Sequence, residues 1–488
     1  MEIGMSDSPS AKPSIGYKWK EISDLPEDLE PLRDRELESL CEVWAREKER
    51  FGDDTRVKDF NTELAREWAI ETGIVEGVYT LDRGITQTLI ERGIDSAYIP
   101  HDATNQDPEL VARIIQNHHE VLEGLFALVK SERVLSTSYI KELHAALLRN
   151  IDTVRVFDSS GRSWEAPLEK GLYKTMPNNP LRPDGTVHEY CPPEHVSSEM
   201  DRLIELHQRH ANRRTRPHIE AAWLHHAFTQ IHPFQDGNGR VARAIASLVF
   251  IKDGFFPLVI NRDDREKYID ALESADKGDL SRLLLLFSQV QKRALTKAIG
   301  KAVDIRPVAS VEEALAATRD MLVDLGRIIP AEYLLAKEHA QNLANATYNK
   351  FGGIVSRLTN DISKVDSGYG FSVGALDQAP SNEIRPVGEK LKYDPNFSDY
   401  HRSVVLSLKS AAATSRVVVS FHGVGAAFRG LLVAVAYFQV GEGVAVPISE
   451  DVFRISYQEP YNVILPRFDK WLEPCIVEGI ALWRRTLV

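Results

Sequence analysis

The chain has 488 residues, 43% hydrophobic and 27% charged, with a net charge of -12; that length exceeds what one hydrophobic core usually serves, and the composition is that of an ordinary globular protein. An acidic total leaves no general footprint for a phosphate backbone, which argues against nucleic acid as the main partner. No apolar run is long enough to cross a bilayer, no basic-then-apolar leader opens the sequence, and Cys41, Cys191 and Cys475 make neither a CxxC pair nor a disulfide framework, so no membrane partner is expected and a cytoplasmic address is.

Residues 1–16 are rich in Ser, Pro and Gly, lack an apolar stripe and read as a disordered tail. Helical spacing follows at 32–50 and 61–71, and clearly at 108–131, where Leu110, Val111, Ile114, Ile115, Val121, Leu122, Leu125, Phe126 and Val129 recur at three- and four-residue steps. Shorter helices are predicted at 137–148, 196–209 and 218–230. Between 157 and 193 many Pro, Gly and Asn residues break the pattern, and Asp184-Gly185 signals a turn, so a β-hairpin or extended loop belongs there.

Helical periodicity returns at 241–253, 265–275 and 280–299, and the helical character persists from 301 to about 360. The stretch 366–396 is rich in Gly, Pro, Asp and Asn, and 404–446 carries β-branched runs suited to strands. The segment FHGVGAAFRG lacks a third glycine at the dinucleotide position and reads as a turn. These shifts divide the chain into a tail (1–16), an N-terminal helical region (17–108), a helical core (109–300) and a C-terminal α+β region (301–488).

The chemistry concentrates in 231–243, IHPFQDGNGRVAR, set between two helical patterns. Gly237 and Gly239 bracket Asn238 just before a helix, where glycine permits positive φ and close approach of backbone N–H groups to an anion. Arg240 and Arg243, three residues apart, share a helix face and can both reach a polyphosphate. Asp236 is a lone carboxylate, which suits Mg²⁺ held largely by phosphates and water. His232 titrates near neutrality and can take a proton from a hydroxyl.

This segment resembles the Fic family motif HPFx(D/E)GNGRxxR, matched at every specified position. The resemblance extends over roughly 60–300, including AAWLHHAFTQI at 221–231 and REKYIDALESADKGDL at 265–280. It implies a mainly α fold: a Fic-type helical core with a β-hairpin flap, here within about 174–191, followed by the C-terminal α+β region. It further implies a protein adenylyltransferase that moves AMP from ATP to a Tyr, Thr or Ser hydroxyl of a target protein docked on the flap. His232 would be the base, Asp236 the Mg²⁺ ligand, and Gly237, Asn238 and Gly239 the anion hole. Arg240 and Arg243 would hold the outer phosphates, and Tyr268 would stack near the adenine. Asp276 stands where an Asn often meets the base edge. Self-modification and a homodimer are the further partner expectations.

Thr72-Gly73-Ile74-Val75-Glu76-Gly77 resembles the family's inhibitory pattern (S/T)xxxE(G/N), in which Glu76 would pair with Arg243. The same carboxylate could instead orient a water for removing AMP. Other readings stay open at this point: a different phosphate-containing donor, an AMP-removing hydrolase, a non-catalytic binding module, Tyr268 as a core aromatic, and Glu76 as an exposed helix-end carboxylate. His225 and His226 point in different directions and are read as packing or hydrogen-bonding residues rather than metal ligands.

Overall fold

The computed structural model describes residues 15–51, 55–131, 133–157, 163–182, 184–301, 331–362, 366, 368–377, 381–410, 413–425 and 428–487. In chain order the first elements are β1 (Ile15–Tyr17), α1 (Arg35–Phe51), α2 (Thr55–Val75), α3 (Arg83–Arg92), α4 (Pro108–Lys130) and α5 (Thr137–Leu147). Next come β2 (Thr153–Phe157), β3 (Ser163–Pro167), β4 (Val187–His188), α6 (Pro193–Asn212), α7 (Pro217–Ile231), α8 (Asn238–Lys252), α9 (Arg265–Asp276) and α10 (Ser281–Lys301). The last are α11 (Ala331–Ile362), β5 (Gly370–Leu376), α12 (Ser381–Leu391), β6 (Pro395–Lys409), β7 (Thr414–Val424), β8 (Leu431–Val440), β9 (Val446–Pro447), β10 (Phe453–Ser456) and α13 (Tyr461–Arg485). No helix among the described residues is long and apolar enough to cross a membrane.

The described residues fall into two compact units, one within Met1–Arg33 and Asn61–Gln291, the other within Asp34–Phe60 and Lys292–Val488. At the centre of the first, α7 and α8 pack on each other, with α4 and α5 against α8 and with α6 and α9 against α7. From Arg240 to Ile251 every residue of α8 is buried, which is how a helix without a polar face must sit. On α4 the predicted stripe is buried from Val111 to Leu125, Pro108 occupies the first turn, and the Asp107 side chain accepts a hydrogen bond from Leu110 N. Two short sheets join this unit: the β2–β3 hairpin, and β4 paired in parallel with β1.

Gly185 sits at φ 80 and donates to Arg182 O at 2.9 Å, making the turn that its sequence signals. The tail needs correction at its end, because residues 15 and 16 lie in β1; residues 1–14 are outside the described residues. The extended region expected at 157–193 likewise begins earlier, with β2.

In the second unit five antiparallel strands run in the order β10-β8-β7-β6-β5, and β9 pairs with β8. Val418, Val433, Val435 and Tyr437 cluster with Ile384 and Val387 of α12 on one face. On the other, Phe421 meets Phe468 of α13 at 5.8 Å, and a Cβ at Gly479 would stand 2.7 Å from Val417. Both faces of the central strands are covered, so their sequence runs apolar without alternation.

Two regular elements lie within the Gly- and Pro-rich stretch 366–396: β5, an edge strand tolerant of its glycines, and α12, which carries Pro386 yet buries Ile384 and Val387. Of the helical stretch 301–360, residues 302–330 lie outside the described residues. The N-terminal region expected at 17–108 is also divided, because α1 belongs with the C-terminal residues. Its buried stripe, Leu37, Leu40, Val43 and Trp44, lies on a helix whose Glu36 bonds Lys292 at 2.8 Å and whose Glu47 accepts from Tyr333. Periodicity reveals such a stripe but not the surface that covers it.

Candidate active site

The loop between α7 and α8 is built by two left-handed residues. His232 caps α7 at φ 52 and ψ 58, donating its N–H to Phe228 O at 2.9 Å; Gly237 at φ 78 opens α8. A non-glycine residue in this region costs about 1–3 kcal/mol unless its surroundings hold it, and here they do. Phe234 is fully buried and stacks on His144 at 3.8 Å. Asn238 closes the loop on itself, since its Oδ1 accepts from Phe234 N at 2.9 Å and its Nδ2 donates to Phe234 O at 2.8 Å. A Cβ at Gly237 would meet Leu148 Cδ1 at 2.5 Å.

His144, for which the sequence gives no signal, fixes the loop from outside. Gly171 N donates to its Nδ1 at 2.8 Å, so Nε2 carries the proton and donates to Asp236 O at 3.0 Å. Burial pushes this imidazole down to about 4, which keeps it neutral and preserves that tautomer.

The Asn238 side chain is thus spent on the loop, and any contribution to an anion would come from its main-chain N–H. Asn238→Ala leaves the buried Phe234 N–H without an acceptor, a penalty of about 1–3 kcal/mol. A lower urea midpoint than wild type is the expected result, and an unchanged midpoint would refute the loop's dependence on it.

The reactive groups face this scaffold. His232 Nδ1 lies 3.2 Å from Thr229 O, so Nδ1 carries the proton and the Nε2 lone pair is left to accept one. The near-neutral titration expected of His232 needs correction: burial, reinforced by the Lys174 ammonium, pushes the ring down to about 3, so it is neutral at physiological pH. Tyr190 stacks on it at 3.7 Å with the planes 9° apart. Lys174 N donates to Pro233 O at 2.8 Å and Asn178 Nδ2 to Phe234 O at 2.7 Å, which ties the 174–191 segment to the same loop.

The two arginines, each 1% exposed, differ sharply in their partners. Arg243 donates from Nε to Thr72 Oγ1 at 2.8 Å, from Nη1 to Glu76 Oε1 at 2.7 Å and from Nη2 to Thr72 O at 3.0 Å. Arg240 donates from Nη2 to Asp236 Oδ2 at 2.9 Å, while its Nε and Nη1 are buried with no partner among the described residues. Buried charged donors left unmet are costly, so they mark a place for a missing acceptor.

Glu76 reaches this place through the end of α2. Val78 N bonds Gly73 O at 3.0 Å and Gly77 N bonds Ile74 O at 2.9 Å, with Gly77 at φ 69. That is a Schellman turn with glycine at its left-handed position and Glu76 at the cap, and Arg265 Nε donates to Val75 O at 3.1 Å beside it. The Glu76 carboxylate rests on Gly239, where an added Cβ would fall on Oε1. A carboxylate therefore already sits at the start of α8, the end that favours anions.

Tyr268, expected beside an adenine, is buried within the first unit. It is 4% exposed, its hydroxyl lies 2.8 Å from His225 Nε2, and the adjacent Arg243 guanidinium interacts with the same hydroxyl. His226 Nε2 lies 3.1 Å from Asp276 Oδ1, and His188 Nε2 lies 3.8 Å from Asp276 Oδ2. Both histidines of the 225–226 pair are therefore hydrogen-bonded to side chains.

Among the described residues no group of three or more His, Cys, Asp or Glu could hold a metal by itself. Asp236, 40% exposed and with Oδ1 free of hydrogen bonds among the described residues, suits a cation that brings most of its own ligands.

The family profile for the Fic/DOC family matches residues 134–250. A Fido domain-containing protein of Dictyostelium discoideum is 41% identical over 104 residues, 20% of this chain and 72% of that protein. Protein adenylyltransferase fic-1 of Caenorhabditis briggsae and that of Caenorhabditis elegans are each 25% identical over 244 residues, 48% of this chain, and the chain spans 41% of each nematode protein. A Fic domain-containing signalling protein of Bacteroides thetaiotaomicron superposes with a TM-score of 0.46 at 25% identity, covering 55% of this chain and 96% of that one. The chain belongs to the Fic/DOC family.

Proposed function

We propose that the first unit transfers the AMP part of ATP to a Tyr, Thr or Ser hydroxyl of a protein held along the 174–191 flap, and that Glu76 restrains this transfer. The observation that carries the reading is the pair of unmet, buried Arg240 donors at the start of α8, beside a neutral imidazole with a free Nε2. Main-chain N–H groups at Gly237, Asn238 and Gly239 line the phosphate cradle, and Arg240 and Arg243 hold the outer phosphates. Asp236 would hold Mg²⁺, which when bound would neutralise phosphate charge.

His232 takes the hydroxyl proton on Nε2 as the target oxygen bonds to the α-phosphorus and pyrophosphate leaves with the electrons of the broken bond. With Glu76 on Arg243, the γ-phosphate lacks its second guanidinium. The seat of Glu76 on Gly239 also fits the second reading, a carboxylate that orients water for removing AMP.

Competition tests the donor. With Glu76→Gly protein and labelled ATP, excess unlabelled ATP should suppress protein labelling far more than UTP or CDP-choline does. Equal or stronger suppression by either of the others would contradict ATP as the donor.

A further inference from the structure

The flap edge has a resident. β1 pairs in parallel with β4, Ile15 opposite Val187 and Tyr17 opposite His188, and Glu189 N donates to Tyr17 O at 2.9 Å. The other side of β4 is closed by its own turn, through the Leu181–Val187 bridge and the bond from His188 N to Pro180 O at 3.1 Å. Two residues after it comes Tyr190, whose ring covers His232. An extended segment along Val187 to Glu189 therefore lies on the limb that leads to the imidazole.

The resident fits by shape and ring stacking. Gly16 lies so close to Thr186 that an added Cβ would fall on its hydroxyl. Tyr17 stacks on His188 at 4.4 Å and 15°, His188 meets Tyr190 at 4.7 Å, and Gln230 Nε2 donates to the Tyr17 hydroxyl at 3.2 Å. Beyond this strap the chain is anchored separately, by Ile22 N to Glu199 Oε2 at 2.8 Å and Trp223 Nε1 to Ser23 O at 2.8 Å. Releasing residues 15–17 thus leaves the following anchor in place.

We propose that the chain's own segment Ile15–Tyr17 is a stand-in for the target: the edge Val187–Glu189 recognises an extended segment with a small residue followed by an aromatic one, and a target pairs there only after the resident strand is displaced. Backbone pairing supplies the affinity of such docking, and alternate side chains supply its selectivity. This restraint acts on target docking, whereas Glu76 acts on the phosphates. It rests on the reading that the flap docks an acceptor, but its test needs neither ATP nor transfer.

The probe is a fluorescein-labelled peptide of residues 11–22, titrated against the full chain. Gly16→Val should loosen the resident strand, and the peptide should then bind at least about tenfold more tightly than to wild type, as expected when the competent state becomes common. Amide exchange at Glu189 should quicken in the same variant, and adding His188→Ala should weaken the peptide again. Tyr17→Ala, which keeps the backbone free of a clash, should shift both readouts in the same direction by less and serves if Gly16→Val fails to fold. Unchanged Glu189 exchange in both variants, or exchange released without any gain in peptide binding, would overturn the proposal. An enzyme that transfers nothing would leave a positive binding result standing.

Discussion

Glu76→Gly is expected to raise the rate of protein labelling from ATP by about a hundredfold, a factor worth about 2.7 kcal/mol. The bond it removes is charge-assisted, 2.7 Å long, and joins a guanidinium 1% exposed to a carboxylate 23% exposed. Hydrogen bonds to charged groups contribute about 1.5–3 kcal/mol, so a single contact is enough for the effect. Arg243 keeps its two bonds to Thr72 and hence its position, so the variant frees one guanidinium nitrogen without loosening the arginine. Initial rates of label incorporation measure this directly, and equal rates in variant and wild type would refute the restraint. Were Glu76 instead to orient a water, label would accumulate through slower removal, which a chase with unlabelled ATP separates from faster transfer.

His232→Ala in the Glu76→Gly background is expected to lower labelling by about 10²- to 10⁴-fold, the usual worth of a positioned general base. The left-handed turn is held by the Phe234 and Asn238 contacts, so the substitution removes the ring while the loop remains. ATP affinity should change little, because the proposed phosphate contacts are with α8 and its arginines rather than with the imidazole. Activity retained within about threefold would show that another group takes the proton.

The candidate loop was legible because its residues form one contiguous string: histidine, carboxylate, two glycines and two arginines within 232–243. Glu76 lies 167 positions from Arg243 and was legible only through a family pattern; the structure adds the physical reason for its glycine, the left-handed position of a helix-ending turn. His144 carried no signal, since its role is a tautomer fixed by Gly171 and used 92 positions away on Asp236. Tyr190 was equally silent, because a tyrosine in an irregular stretch gives no hint of the ring it will cover.

Tyr268 took its expected role from the family resemblance, and neither the resemblance nor helical spacing carries the burial of its ring. In the second unit, Pro466 and Pro474 punctuate α13 and hide it from periodicity, although Ile464, Phe468, Leu472 and Cys475 still form its buried stripe. The strands β7 and β8 were legible from their β-branched runs. Which helices cover them depends on pairings far apart in sequence, and composition does not encode those.

The central claim is that AMP, rather than phosphate, leaves ATP for a protein hydroxyl. Incubating the Glu76→Gly protein and Mg²⁺ with ATP labelled at the α-phosphate, and in parallel with ATP labelled at the γ-phosphate, tests it most directly. The account predicts protein-bound label from the α-position alone, lost when His232→Ala is added. Label from the γ-position, or α-label that persists without His232, would contradict it.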